Sequence, residues 1–137
     1  MIEIINPGIL SSFQDEGRFG QKKYGVSQSG CLDLFSYKLA NKLVENNPNE
    51  ASIEVINGPF NCIFHKDATI SITGPFEIFS INKNFIYQTN SSLNVFAGDE
   101  LFLPNTIKGN IYYMAISGGY DIKNILNSKS YHQPSKV

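Results

Sequence analysis

The sequence predicts a mainly β domain, a barrel or sandwich of short strands, with one principal α-helix. Three observations carry that expectation. Apolar and polar residues alternate in short runs bounded by Gly, Asn, Asp and Pro. One segment departs from this and repeats its apolar residues every three or four positions. The chain has 137 residues, 42% of them hydrophobic and 17% charged, which suits one compact core rather than a disordered tail.

The predicted strands run from Ile2 to Ile5, Ser52 to Ile56, Phe60 to Phe64, Thr69 to Thr73, Phe76 to Ile81, Phe85 to Tyr87, Ser92 to Phe96, Glu100 to Leu103 and Asn110 to Ile116. In Thr69 to Thr73, Ile70 and Ile72 alternate with Thr69, Ser71 and Thr73, as a strand with one buried face requires. Asn57-Gly58-Pro59, Gly74-Pro75, Ile81-Asn82-Lys83 and Gly98-Asp99 fall between runs and supply turn chemistry. From Asp33 to Glu45 the residues Phe35, Leu39 and Leu43, with Leu32, Ala40 and Val44, fall on one helical stripe. Ser29 or Asp33 suits its N-terminus, and the Asn residues with Pro48 suit its end. If that stripe packs on the sheet, Leu39→Ala should cost about 2–5 kcal/mol. The domain is expected over residues 1–126, with a frayed tail over 127–137 that lacks apolar periodicity.

A net charge of −1 and dispersed lysines leave no field to attract nucleic acid or an anionic membrane, and neither is an expected partner. No run of about 18 apolar residues is present to span a bilayer. The first ten residues carry Glu3, Asn6 and Pro7 where a signal peptide needs a basic and then an apolar segment, so Cys31 and Cys62 read as reduced thiols of a cytoplasmic protein. His65 and His132 have no acid or thiol at metal-ligand spacing, and no metal is expected.

The stretch from Gln14 to Gly30 gathers Gly17, Gly20, Gly25 and Gly30 around few charges. These glycines either permit left-handed turns in a wrapping loop or let backbone N–H groups approach an anionic ligand near the helix start. The Gly-Lys-Ser/Thr ending of a phosphate-binding loop is absent. Arg18, beside Asp15 and Glu16, is either an internal ion-pair partner or a fork for a carboxylate or phosphate. Glu54 alternates with Ile53 and Val55, and is either solvent-facing or a buried, paired acid with shifted proton affinity.

In order along the chain, residues 12–20 (SFQDEGRFG) resemble a T-V-Q-D-x-G-R-x-G motif and residues 24–33 (YGVSQSGCLD) a G-V-P-x-S-G-A-M-D motif. ANKLV (40–44), ASIEV (51–55), NGPF (57–60), DATISITG (67–74), AGD (97–99), YMAISGGYD (113–121) and LNSKS (126–130) follow. This ordered set resembles the allophanate hydrolase subunit 2-like or KipA-type family, which includes the C-subunit of 5-oxoprolinase and is also described as biotin-dependent carboxyltransferase.

The resemblance implies a cyclophilin-like closed β-barrel and work in a complex. Its partners would be the KipI-like B-subunit and the A-subunit of 5-oxoprolinase, which together with it open 5-oxoproline, a small-molecule substrate, to glutamate with ATP used at the level of the complex. The alternative it implies is carboxyl transfer of the urea carboxylase type, with biotin carried on a partner. A third is a regulatory, non-catalytic KipA-like binding protein. Carried over by position, Gln14, Arg18, Ser29, Gly30, Asp33 and Asn41 are the expected cleft residues. Asp15, Arg18 and Glu54 are the catalytic candidates, with Arg18 as an anion contact and Asp15 or Glu54 as an orienting carboxylate. Two positions depart from the family: Ser27-Gln28 replaces a proline step, and Cys31 stands where alanine is common, which fits packing. Members of the family carry a second, related barrel, so the isolated chain is expected to be inactive.

Overall fold

The structure, a computed structural model, describes residues 2–8, 10–15, 31–75, 77–104 and 111–120, and among these the chain forms ten strands and one helix. The elements are β1 (Ile2–Asn6), β2 (Leu10–Gln14), α1 (Leu34–Leu43), β3 (Ser52–Ile56), β4 (Phe60–Phe64), β5 (Ala68–Thr73), β6 (Ile78–Ile81), β7 (Phe85–Gln88), β8 (Ser91–Val95), β9 (Glu100–Leu103) and β10 (Ile111–Ile116). All pairings are antiparallel. They form two five-stranded sheets, ordered β1-β4-β9-β6-β7 and β2-β3-β10-β5-β8.

The strand runs read from the sequence fall on these elements, with differences at their ends. Phe76 and Asn110 lie outside the described residues, as do the tail over 127–137 and Arg18, Ser29 and Gly30. Strand β2 was not expected, because its five residues carry no clean alternation of apolar and polar side chains. The expected closed ring is not among the pairings of the described residues. The strands at the two ends of each sheet, β1 and β7 in one and β2 and β8 in the other, each pair with a single neighbour there.

The inner faces of the two sheets share one apolar core. Ile53, Val55, Ile70, Ile72, Tyr112 and Met114 from one sheet pack with Phe60, Cys62, Phe64, Phe79, Leu101 and Leu103 from the other. Cys62 is a thiol buried in this core, and no disulfide joins it to Cys31. The turns are where their residues demand: Asn82 and Lys83, at φ of 54° and 66°, reverse the chain between β6 and β7. Gly74 ends β5 at φ +143°, where an added Cβ would sit 2.6 Å from the Ile111 carbonyl oxygen.

Helix α1 begins at Asp33, whose side chain accepts from the Ser36 N–H. It lies on β10 and β5, on the face of their sheet that points away from the main core. The stripe it buries shares Ala40 and Val44 with the one read in the sequence and differs in the rest. Tyr37, Ala40 and Val44 pack with Tyr113 and Ala115, while Phe35 is 77% and Leu32 67% exposed. Leu39 and Leu43 are only partly covered. The physical reason is that the strand face beneath the helix is mixed, with Ser71 and Thr73 bonded to helix carbonyls beside Tyr113 and Ala115. The helix therefore approaches closely through Ala40 and Ser36 and sets Tyr37 and Val44, rather than its leucines, against it.

Candidate functional site

The register of the helix-covered sheet places its polar residues in rows. Ser12 lies opposite Glu54, Glu54 opposite Tyr113, and Tyr113 opposite Thr73, one row across β2, β3, β10 and β5. Gln14 opposite Ser52, and Ala115 opposite Ser71, continue the next row. Side chains opposite one another share a face. The result is a strip of hydroxyls, an amide and a carboxylate on the face opposite to Ile53, Val55 and Met114.

Half of this strip holds the helix. The Ser71 hydroxyl donates to the Ala40 carbonyl at 2.7 Å and the Thr73 hydroxyl to the Ser36 carbonyl at 2.7 Å. The other half, over β2 and β3, meets the two ends of the glycine-rich stretch. The Cys31 N–H donates to the Asp15 carbonyl at 2.9 Å, which closes the neck of that stretch. Leu32 N–H donates to Glu54 Oε2 at 2.9 Å and to the Tyr113 hydroxyl oxygen at 3.1 Å. Asp33 N–H donates to the same hydroxyl oxygen at 2.9 Å, and that hydroxyl donates to Glu54 Oε2 at 2.5 Å.

Glu54 is thus the buried acid of the two alternatives its sequence left open, with 3% of its surface exposed. Among the described residues no cation pairs with it, and its donors are neutral. Burial raises its proton affinity above the ordinary carboxyl value. The Tyr113 and Leu32 hydrogen bonds act the other way, and Asp33 nearby adds to the rise. Burial and the Glu54 contact push the Tyr113 phenol well up, so it remains a donor at neutral pH. Among the described residues both hydrogen bonds to the Glu54 carboxyl fall on Oε2. Two positions along β3, the Ser52 hydroxyl is fully buried and has no hydrogen-bond partner among the described residues.

The residues singled out in the sequence separate into three groups. Gln14, Asp15, Asp33 and Glu54 come together at the neck of the glycine-rich stretch. Gln14 Nε2 donates to the Ser12 hydroxyl there at 2.7 Å, and Asp33 caps the helix, taking the Ser36 N–H at 3.1 Å and the Ser36 hydroxyl at 2.8 Å. Asn41 stands eight residues further along α1, about 12 Å away by helical rise. Its amide donates to the Glu50 carbonyl at 2.8 Å, shared with the Tyr37 hydroxyl at 2.7 Å, and so fixes the segment leading into β3. Arg18, Ser29 and Gly30 are the third group, outside the described residues. Tyr113 and Ser52 were not anticipated. Tyr113 reads as one more aromatic strand residue until the pairing of β10 with β3, 59 positions apart, sets its hydroxyl beside Glu54.

The strip suits a ligand that offers both a carbonyl and an N–H, because hydroxyls and a carboxyl group can receive and return both kinds of bond. The model of the family "Carboxyltransferase domain, subdomain A and B" matches residues 24–137. A urea amidolyase of Lachancea kluyveri is 37% identical over 130 residues, covering 93% of this chain and 7% of that protein. The 5-oxoprolinase C-subunit of Escherichia coli (strain K12) is 32% identical over 130 residues, covering 95% of this chain and 42% of that protein. The crystal structure of the Kluyveromyces lactis urea carboxylase superposes with a TM-score of 0.86 at 31% identity, covering 95% of this chain and 12% of that one. The chain therefore spans less than half the length of each of these relatives.

Proposed function

This chain belongs to the family of carboxyltransferase domains, subdomains A and B, and from that premise we propose that it is a component like the C-subunit of 5-oxoprolinase, holding a small cyclic amide for opening to glutamate by an ATP-dependent complex. The observation that carries this reading is the polar strip under the neck of the glycine-rich stretch: two positions apart on one face of β3 lie the buried Glu54 carboxyl, held by Tyr113 and Leu32, and the buried Ser52 hydroxyl, which has no partner among the described residues. An amide places one C=O and one N–H within reach of such a pair. A polyphosphate needs cations, which the described part of the strip lacks, so ATP is assigned to a partner.

In this reading Tyr113 keeps Glu54 oriented, Glu54 receives an amide N–H or holds a proton near the ring nitrogen, and Ser52 donates to the carbonyl. Arg18 grips the substrate carboxylate, and Asp15 orients the stretch that carries Arg18. The whole reaction needs the KipI-like B-subunit and the A-subunit, and a cytoplasmic setting where ATP is available. In support, the matched relatives include a protein whose name makes it one lettered subunit of 5-oxoprolinase, which implies others.

The test is reconstitution: this chain with the A- and B-subunits should release glutamate from 5-oxoproline only when ATP is present. A Glu54→Gln chain should lower that turnover by about 10²–10³-fold if Glu54 handles the proton. Absence of turnover from the wild-type mixture would refute the reading.

A second reading is favoured by the urea amidolyase and urea carboxylase matches, namely transfer of a carboxyl group from carboxybiotin to an amide acceptor. A ureide, like an amide, offers a C=O and N–H groups, so the same strip fits it. Biotin would enter on a partner chain. Loss of labelled carboxyl from carboxybiotin to acceptor, dependent on this chain, would select this chemistry over ring opening.

A further inference from the structure

We propose that Tyr113 is the positioning residue of this site: its hydroxyl sets where the glycine-rich stretch rejoins the fold and where α1 begins. The role in turnover rests on the functional reading above; the role in positioning does not.

The argument starts from the chemistry of one oxygen. The Tyr113 hydroxyl accepts two backbone N–H groups, from Leu32 and Asp33. Amide N–H groups only donate, so the single phenol proton must turn elsewhere, and Glu54 Oε2 lies in reach to take it. The direction of all three bonds is therefore determined.

Next comes rigidity. Strand β10 is flanked by β3 and β5, and the Tyr113 ring is fully buried with its edge against Tyr37, centroids 6.2 Å apart. A central strand thus delivers a fixed oxygen to the helix start. The segment it holds is tied on one side by the Cys31 N–H on the Asp15 carbonyl and on the other by the first turn of α1, while the Leu32 side chain between them is exposed and leaves its N–H as the described hold at that position. Asp33 is held by its own N–H on this oxygen and caps α1 through its side chain, so the oxygen's position is passed to the first helical turn. Leu32 differs from Asp33 in one useful respect: its N–H also reaches Glu54 Oε2.

That difference yields a discriminating experiment on the full chain. In Tyr113→Phe, amide hydrogen exchange at Asp33 should rise tenfold or more relative to the amides of β5, because the hydroxyl oxygen that accepts its N–H is gone. Exchange at Leu32 should rise less, since Glu54 still receives it. Tyr120→Phe is the control: it deletes another buried hydroxyl of similar structural weight, bonded to the Met114 carbonyl at 2.6 Å, and should change Asp33 and β5 exchange alike. Glu54→Gln, which leaves the Tyr113 oxygen in place, should keep Asp33 within about threefold of wild type.

Unchanged Asp33 exchange in Tyr113→Phe, or an equal rise in Tyr120→Phe, would overturn the proposal. So would a tenfold rise at Asp33 in Glu54→Gln, which also decides the matter should Tyr113→Phe fail to fold. In the reconstituted complex, Tyr113→Phe should raise KM or lower kcat more than Tyr120→Phe does at matched stability. If the wild-type complex does not turn over, the functional reading falls, while the exchange data still decide the role of Tyr113.

Discussion

Replacing Tyr37 by alanine should destabilise the protein far more than replacing Leu39, although the apolar periodicity of the sequence puts Leu39 on the buried stripe. Tyr37 is fully buried against Tyr113, and its hydroxyl donates to the Glu50 carbonyl at 2.7 Å. Truncating an aromatic side chain in such a place costs about 3–5 kcal/mol. Leu39 is partly exposed, on the wall of a groove of about 580 Å³ that it shares with Phe35, Pro75 and Ile111, so its truncation should cost about 1 kcal/mol. Tyr37→Phe separates packing from hydrogen bonding. The Glu50 carbonyl keeps its second donor, Asn41, so this change should cost only about 1 kcal/mol. For a domain of this size each kcal/mol moves the midpoint by about 3–5 °C, so thermal melts should place Tyr37→Ala about 6–20 °C below the other two variants. Urea titration at constant slope should give the same order. A Leu39→Ala loss equal to or above that of Tyr37→Ala would show that α1 is rotated from the position described.

Three further outcomes are expected. Because burial raises the folded pKa of Glu54 above its ordinary 4.5, the folded chain binds this proton more tightly than the unfolded one. Its contribution to stability is full below the unfolded value and is lost as pH rises through the folded value, so wild type should lose stability relative to Glu54→Gln across that window in urea titrations at stepped pH. Parallel pH profiles for the two would count against a buried Glu54. Gly74→Ala combines a φ of +143° with a Cβ 2.6 Å from the Ile111 carbonyl oxygen, and should lower stability by about 1–3 kcal/mol; an unchanged melting midpoint would contradict the turn geometry. Cys62, fully buried and with its thiol pushed up to about 12, should resist a thiol reagent at pH 8 until the protein unfolds, and labelling in the native state would be inconsistent with its place in the core.

How far the sequence could be read followed the range of the forces involved. Period-two runs such as Ile70 and Ile72 against Ser71 and Thr73 report a local steric fact, alternation across a pleat, and strands were legible from them. Turns at Asn82-Lys83 and Gly74 were legible for the same reason, since positive φ restricts residue type at the position itself. The N-cap at Asp33 is also local. Strand β2 escapes because it lacks alternation, and the buried face of α1 is legible only in part. Ala40 and Val44 are buried as expected, whereas Phe35 and Leu32 are exposed and Tyr37 takes their place, because the sheet face beneath carries Ser71 and Thr73 and offers the helix less apolar surface than its periodicity implies. Glu54 was visible as an acid in an apolar strand, with its environment open. Tyr113 and Ser52 were invisible as site residues, because neither a strand tyrosine nor a strand serine differs locally from its structural counterparts.

By itself, then, the amino-acid order determined a β-rich domain with one helix after a glycine-rich stretch, and through ordered motifs it determined kinship. Local dihedral preferences and side-chain alternation are written residue by residue, and they survive any arrangement of the strands. Tertiary structure alone decided that β2, β3, β10 and β5 lie side by side, and so that Ser12, Glu54, Tyr113 and Thr73 form one row. That register is chosen by which pairing buries the most apolar surface on the opposite face, a property of the whole assembly of strands, and the polar strip with its buried acid follows from it.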